Sequence, residues 1–125
     1  MLTHGNIGSN AKTLKDTWCF SNKDILLHAL PIYHVHGLFV ALGCVLLSGS
    51  KILWTEAFEA EQVLTLLPRC TVMMGVPTYY TRLLAQKGLD NSIVSNMRLF
   101  ISGSAPFLVD TFNEFHEKTD HYILE

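Results

Sequence analysis

Apolar residues along this chain follow two patterns, one typical of helices and one typical of strands. Near the amino terminus, Ile7, Ala11, Leu14 and Trp18 recur at i, i+4, i+7 and i+11, which predicts an amphipathic helix. Further along, short apolar runs of strand length are separated by longer segments with helical spacing. Five of these runs are predicted to be strands, at residues 25–30, 52–54, 71–74, 99–102 and 122–124.

The segments between these runs are predicted to be helical crossovers. They are a buried helix over 38–47, a helix over 60–67 that Pro68 ends, a helix from Pro77 to Gly88, and a helix from Pro106 with Leu108, Phe112 and Phe115 on one stripe. Because strand and helix alternate, the sequence predicts an α/β fold with a mostly parallel sheet and right-handed crossovers. Ligands of such sheets bind beyond the carboxyl ends of the strands. The predicted site loops are therefore residues 31–37, 75–82 and 102–106.

Composition narrows the class of protein. Of the 125 residues, 49% are apolar and 16% are charged, with a net charge of −2. The apolar content excludes disorder, and the nine Lys and Arg residues form no cluster that would favour nucleic-acid binding. Typical soluble domains carry about 25% charged residues, so this chain is expected to form the inner part of a larger protein.

Neither a secretory signal nor a membrane span is predicted. The amino terminus has no basic segment followed by an apolar one. The longest apolar run, 38–47, is interrupted by Gly43 and has about half of the ~20 residues that a spanning helix needs. The sequence has three cysteines, an odd number, and they lie in apolar surroundings: Cys19, Cys44 and Cys70. This pattern predicts reduced thiols in the core and a cytoplasmic protein.

The first site loop carries His34 and His36, with one residue between them. Two histidines at a strand end can ligate a metal ion, but no third ligand accompanies them, so no metal site is predicted. Both are candidates for binding or catalysis, and a purely structural histidine is the alternative at each position. His28 lies within a predicted strand and is expected in the core or at an edge. The remaining histidines are expected at the surface: His4, His116 and His121.

The second and third site loops carry further candidates. Pro77 and Thr78 open a helix, whose free backbone N–H groups suit an anion. Arg82 lies about one turn further on, and it either faces solvent or binds a carboxylate or phosphate. The third loop has small residues that let a flat ligand approach the backbone, although such turns are common in α/β folds: Gly103, Ser104 and Ala105. The sequence holds no Ser-His-Asp order, paired-cysteine motif, Walker loop or dinucleotide glycine fingerprint.

Taken together and in this order, the loops resemble the adenylate-forming superfamily, which includes acyl-CoA synthetases, peptide-synthetase adenylation domains and luciferases. The resemblance covers essentially the whole chain. It is carried by Thr3-His4-Gly5-Asn6, Leu30-Pro31-Ile32-Tyr33-His34, Gly75-Val76-Pro77-Thr78 and Ser102-Gly103-Ser104-Ala105-Pro106. Within the superfamily, the phrases LLHALPIYHVHGLFVAL, MMGVPTYYTRLL and MRLFISGSAP are closest to malonyl-CoA synthetases.

This resemblance implies a two-step reaction. A carboxylate attacks the α-phosphate of ATP to give an acyl-adenylate and pyrophosphate, and the thiol of CoA then displaces AMP. The resemblance implies that His34 orients the reacting carboxylate and that Gly103, Ser104 and Ala105 lie along the adenine. It also implies an acyl pocket containing His36, Arg82 and Thr78, in which a polar histidine and a bidentate arginine hold the second carboxylate of malonate. A buried Arg82 without an anion would be costly, which favours a short diacid over a long acyl chain.

Several parts of the family pattern are absent from the sequence. The phosphate loop, the motif with the glutamate near Mg²⁺, the ribose-binding aspartate and the C-terminal domain are not found. Residues 1–125 are therefore expected to be part of an N-terminal AMP-binding domain that acts only with the missing segments of the same enzyme. ATP, Mg²⁺ and CoA belong to the full-length family enzyme, and none is expected to bind tightly to this chain alone.

Two alternatives remain open at the level of sequence. One is a catalytically inactive truncated remnant or split-gene product of such a ligase. The other is a small doubly wound nucleotide-binding module, which would be a soluble monomer and bind nucleotide without flanking sequence. The low charge and the uncovered last strand speak against this module.

Overall fold

A computed structural model describes residues 2–125, in which one parallel sheet lies between two layers of helices. The strands are β1 (Ile25–His28), β2 (Lys51–Trp54), β3 (Val72–Gly75), β4 (Leu99–Ser102) and β5 (Ile123–Leu124). The helices are α1 (His4–Thr17), α2 (Leu42–Ser48) after a π-helical segment (His36–Ala41), α3 (Ala60–Leu66) before a 3₁₀ turn (Leu67–Arg69), α4 (Pro77–Leu84) and α5 (Val109–Thr119). All strand pairs are parallel, so the predicted α/β fold is confirmed.

The strand order explains how the helices divide between the two faces. The order across the sheet is β2-β1-β3-β4-β5, so the chain moves one way from β1 to β2 and the opposite way through β3, β4 and β5. Right-handed crossovers in opposite directions fall on opposite faces of a sheet. The π-helical segment and α2 accordingly join α1 on one face, while α3, α4 and α5 cover the other.

Each face of the sheet has its own apolar core because successive strand residues point to opposite sides. In β1, Leu26 packs with the α1 and α2 side, whereas Leu27 packs with the α3 to α5 side. In β3, Val72 and Met74 follow Leu26, and Met73 follows Leu27. β1 and β3 are therefore buried on both faces, which is why their sequences are continuously apolar rather than alternating.

The last predicted helix differs from the structure in its start, and the segment 38–47 differs in its burial. The helix predicted from Pro106 begins at Val109, because Phe107 N–H donates to Glu125 Oε1 at 3.0 Å and holds the preceding residues as a loop. Leu108 is the residue before the helix and is 71% exposed, so its place on the buried stripe was wrong. The segment 38–47 is buried on one side only, since Leu46 and Leu47 face outward.

Two further sequence predictions need smaller corrections. The helix predicted to end at Gly88 ends at Leu84, and a non-helical turn follows it. Cys44 and Cys70 are buried free thiols as predicted, but Cys19 is exposed. Its backbone has a φ of 53° just after α1, and this left-handed turn directs the residue away from the core.

Candidate active site

The site loops meet at the carboxyl edge of the sheet, where the strand order changes direction. β1 is followed by a crossover toward β2, and its neighbour β3 by a crossover toward β4. The loops after these two strands therefore diverge and leave a crevice, which is the usual ligand position in doubly wound sheets. A cavity of about 440 Å³ lies there, lined by residues of all three predicted site loops: Leu30, Pro31, His34, Val35, His36, Val76, Tyr79 and Ser104.

The loop after β1 is a tight turn that presents His34. The His34 backbone N–H donates to Pro31 O at 3.3 Å, and the Leu38 N–H donates to His34 O at 3.0 Å. Gly37 is buried against this turn, and a Cβ there would lie 2.3 Å from Pro31 O. Only glycine fits such a close backbone approach. His34 itself is exposed at the cavity, with its ring centroid 4.6 Å from that of Tyr33.

His36 joins the first and third site loops. Its Nδ1 lies 3.4 Å from Ser104 Oγ, and a Cβ on Gly103 would come within 3.2 Å of its Cε1. The imidazole therefore lies directly on the glycine backbone. The Ser104 backbone has a φ of 71°, a left-handed conformation that residues other than glycine rarely adopt. Burial lowers the pKa of His36 below its ordinary value, so its ring is held in the neutral form.

A second cavity of about 400 Å³ lies on the other side of His36 and Ser104. Its walls include the Gly103–Ser104 backbone, Asn10 and Trp18 of the α1 region, and Glu125. Sequence analysis placed Trp18 only on a helical stripe and gave Asn10 and Glu125 no role. Because both cavities share His36 and Ser104, a ligand spanning them would pass beside this contact.

Tyr79 lies in the cavity wall and was missed by sequence analysis. It is in the first turn of α4, directly after β3, and that position was the signal available in the sequence. Its Oη donates to Ala29 O at 3.2 Å, and its ring stacks on Phe58 with centroids 3.9 Å apart. Burial raises the pKa of the Tyr79 hydroxyl, an effect that the positive charge of Arg82 partly offsets.

Three predicted site residues do not line the two cavities. Arg82 is paired with Glu59, with 3.4 Å between Nη2 and Oε2, and its side chain is 51% exposed. Arg82 therefore faces solvent, one of the two alternatives that the sequence left open, because α4 turns this position outward over the Phe58 ring. Its role in binding a carboxylate stays a prediction. Thr78, in the first turn of α4, and Ala105, in the loop after β4, are also exposed.

His28 is a buried histidine behind the site. It is 1% exposed, and neither of its ring nitrogens has a hydrogen-bond partner. Its ring meets Trp54 edge to face, with 4.5 Å between centroids. Burial, followed by the charge of nearby His36, lowers the pKa of His28 from 6.5 to about 4. His28 is therefore a neutral core residue, as its strand position predicted.

Two of the histidines expected at the surface are half-buried. His116 stacks on Tyr122 with 4.1 Å between ring centroids, and His121 Nε2 lies 3.1 Å from Val94 O. Only His4 is exposed as predicted. Within residues 2–125, no three His, Cys, Asp or Glu side chains are grouped as a metal ion would require. No helix in this part of the chain is long and apolar enough to cross a membrane.

The doubly wound sheet places the paired cavities at its switch point, at the carboxyl edge of its strands, which is where sheets of this class usually bind their ligands. Comparison with known families makes this more specific. Residues 1–125 match the family model described as AMP-binding enzyme, so the chain belongs to that family. The resemblance carried by the three loops is thereby confirmed.

Some of the individual relatives and structural neighbours are named as malonate–CoA or malonyl-CoA ligases. The mitochondrial malonate–CoA ligase of Homo sapiens is 33% identical, and all of this chain aligns with 24% of the human protein. The crystal structure of ATP-bound MatB from Rhodopseudomonas palustris is 50% identical over 98% of this chain and 24% of its own, with a TM-score of 0.96. A malonyl-CoA ligase with methylmalonyl-CoA and AMP bound is 29% identical over 94% of this chain and 26% of its own, with a TM-score of 0.84. The chain thus spans about a quarter of the length of these relatives.

Proposed function

We propose that residues 1–125 form part of the N-terminal domain of an ATP-dependent acid–CoA ligase that activates malonate. The observation that carries this proposal is the pair of cavities meeting at the His36–Ser104 contact. One cavity suits a small acid beside His34, and the other suits a flat ring along Gly103 and Ser104. The name of the human relative supports malonate and CoA as substrates, and the ATP-bound structural neighbour supports the use of ATP.

In this proposal the substrates divide between the cavities. Gly103 and Ser104, which line the second cavity, lie along the adenine of ATP, with Ala105 next to them in the same loop. His34 orients the reacting carboxylate, and a donor positioned there also offsets the charge that develops at phosphorus. A carboxylate oxygen forms a bond to the α-phosphorus while the bond to pyrophosphate breaks. In the second step the CoA sulfur bonds to the acyl carbon, and AMP leaves.

The acid is proposed to be malonate, held at its second carboxylate by His36, Thr78 and Arg82. Mg²⁺ would accompany ATP in the intact protein and balance its phosphate charge. The compartment stays a prediction: the sequence indicates the cytoplasm, whereas the human relative is mitochondrial.

Malonate-dependent exchange of labelled pyrophosphate into ATP, by the intact protein that carries this chain, tests the activity. His34→Ala is expected to lower the exchange rate by about a hundredfold, because it removes a group placed at the reacting atoms. His121→Ala, which lies outside the cavities, serves as the matched control. Exchange that is absent from the wild type, or equal in His34→Ala and wild type, contradicts the proposal.

Arg82→Leu tests the diacid assignment. Loss of a charged hydrogen-bonding partner is expected to raise KM for malonate by about tenfold or more, with a smaller effect on kcat. Acetate and malonate are compared in the same assay, and the preference for malonate is expected to fall. Malonate activation that survives Arg82→Leu unchanged shows that this residue does not bind the second carboxylate.

An inactive remnant is distinguished by the intact mass of the native polypeptide. A mass several times that of this chain supports the ligase. A native product near 14.0 kDa supports the remnant instead, because the adenylation machinery could not then be complete.

A further inference from the structure

Glu59 precedes α3 at the N-cap position, yet it does not cap the helix. Its backbone is extended, with φ −118° and ψ 117°, and its side chain makes no hydrogen bond to the first turn. Short side chains such as Asp or Ser are preferred for capping because they reach the free N–H groups. The longer Glu59 side chain instead reaches α4, where its Oε2 lies 3.4 Å from Arg82 Nη2.

Arg82 is connected to the first cavity through two aromatic rings. Its guanidinium carbon lies 4.9 Å from the centroid of Phe58, and Phe58 stacks on Tyr79 at 3.9 Å. Tyr79 is itself a wall of the cavity that contains His34 and His36. The positive charge of Arg82 acts on the Tyr79 hydroxyl, since it opposes the rise in the pKa of that group. Two stacked aromatic rings, Phe58 and Tyr79, therefore lie between Arg82 and the cavity.

The contact between Glu59 and Arg82 is weak enough for another carboxylate to replace Glu59. It is a single long contact, and the two side chains are 69% and 51% exposed. Exposed ion pairs of this kind contribute about 0–1 kcal/mol. Arg98 provides the contrast within the same chain: its Nε and Nη2 donate to Asp24 at 2.7 and 2.9 Å, and it also donates to two backbone carbonyls. Arg98 is fixed by four hydrogen bonds, whereas Arg82 is held by one.

We propose that Glu59 is a specificity-determining residue that occupies Arg82 in place of the second carboxylate of the diacid. On this view, the substrate carboxylate displaces Glu59, and the guanidinium moves from the outer face of Phe58 toward the cavity. A monocarboxylate has no group that can make this exchange. Because Glu59 competes for Arg82, it reduces the affinity that the contact between Arg82 and malonate contributes. The inference rests on the function proposed above.

Glu59→Gln in the intact protein tests the exchange. The variant removes the competing charge while keeping the shape of the side chain. We expect KM for malonate to fall about fivefold, equivalent to ~1 kcal/mol, with kcat nearly unchanged. The inhibition constant of acetate against malonate-dependent exchange is expected to stay the same. Glu61→Gln, which removes an equal charge two residues away in the first turn of α3, serves as the control.

The outcomes separate this inference from the proposed function. Wild-type protein that activates malonate, together with an unchanged or higher KM in Glu59→Gln, overturns the role of Glu59 and leaves the ligase proposal standing. An equal fall in KM for Glu61→Gln also overturns it, because the effect would then be one of general charge. Wild-type protein that does not activate malonate overturns both.

Discussion

At the scale of single residues, His28 is the buried side chain with the most polar atoms that lack a hydrogen-bond partner in the described part of the chain. Its two ring nitrogens are buried without partners at the carboxyl end of β1, where the charged form would be kept from water and would have only the edge-to-face contact with Trp54. A buried polar atom without a partner costs stability even when neutral, and a buried charge costs more. The fold therefore depends on this histidine remaining unprotonated.

The first prediction at this scale concerns the pH dependence of stability. The unfolded chain protonates His28 near pH 6.5, whereas its folded pKa is about 4. The unfolded state therefore binds more protons between these values, and stability falls as pH decreases from about 6.5 to about 4. The free energy linked to this interval is on the order of 3 kcal/mol. His36, whose pKa is also lowered by burial, contributes in the same direction.

His28→Phe is expected to flatten this dependence. The replacement keeps a ring against Trp54 but removes the titrating nitrogens. The loss of stability on acidification therefore becomes smaller, because of the two histidines only His36 still contributes to it. Urea unfolding at pH 7 and pH 5 measures the effect, with His4→Phe on the exposed side of α1 as the control. An identical loss of stability in His28→Phe and wild type would show that His28 does not titrate in this range.

At the scale of elements, the strands and their carboxyl-terminal loops followed from local pattern. Strands were predicted at 71–74 and 99–102 from their apolar runs, which are typical of strands buried on both faces, and the structure has them at 72–75 and 99–102. Helix ends were harder to predict. The start of α5 depends on a hydrogen bond between Phe107 and Glu125, residues 18 apart in sequence, which no local pattern contains.

Gly37 is the glycine with the least room for a side chain in the described part of the chain, since a Cβ there would lie 2.3 Å from Pro31 O. Gly37→Ala is expected to destabilise the protein by about 1–3 kcal/mol, because the added Cβ would overlap the Pro31 carbonyl. The turn would have to shift, and His34 and His36 would move with it. Malonate-dependent exchange is therefore expected to fall as well.

Gly8→Ala is the matched control for this substitution. Gly8 lies within α1 with no atom within 4 Å of an added Cβ, so alanine there is expected to stabilise the helix by about 0.5–1 kcal/mol. Denaturant unfolding of both variants provides the comparison. A Gly37→Ala variant as stable as Gly8→Ala would mean that the turn is not tightly packed.

At the scale of the whole molecule, the two edges of the sheet differ in how they are held. At the amino edge, Asp24 is 3% exposed and accepts hydrogen bonds from Arg98, Thr71 and the Ser21 backbone. Burial alone would raise the pKa of Asp24, but these bonds and the charge of Arg98 hold it at about 2. This network ties β1, β3 and β4 together at one edge. At the opposite edge the loops diverge, and the cavities form there.

The candidate site could be predicted from sequence only where it depends on the backbone. His34, His36, Gly103 and Ser104 were found because they follow strands, and the carboxyl ends of parallel strands share one edge. Tyr79 and Glu59 were missed, and the sequence left open whether Arg82 faces solvent or binds an anion. The direction of each of these side chains depends on packing between α3 and α4, which are separated along the chain by β3.

The sequence by itself determined the class of fold, the three site loops and the resemblance to adenylate-forming enzymes. Each of these depends on features that are local in the sequence: apolar spacing, turn residues and short motifs. Tertiary structure decided which residues line the cavities, which histidine is buried without a partner, and which arginine is fixed. Those properties depend on contacts between distant segments, such as Arg98 with Asp24 and Arg82 with Glu59. The energy of such contacts is set by distance and burial, and neither is defined until the helices have packed on the sheet.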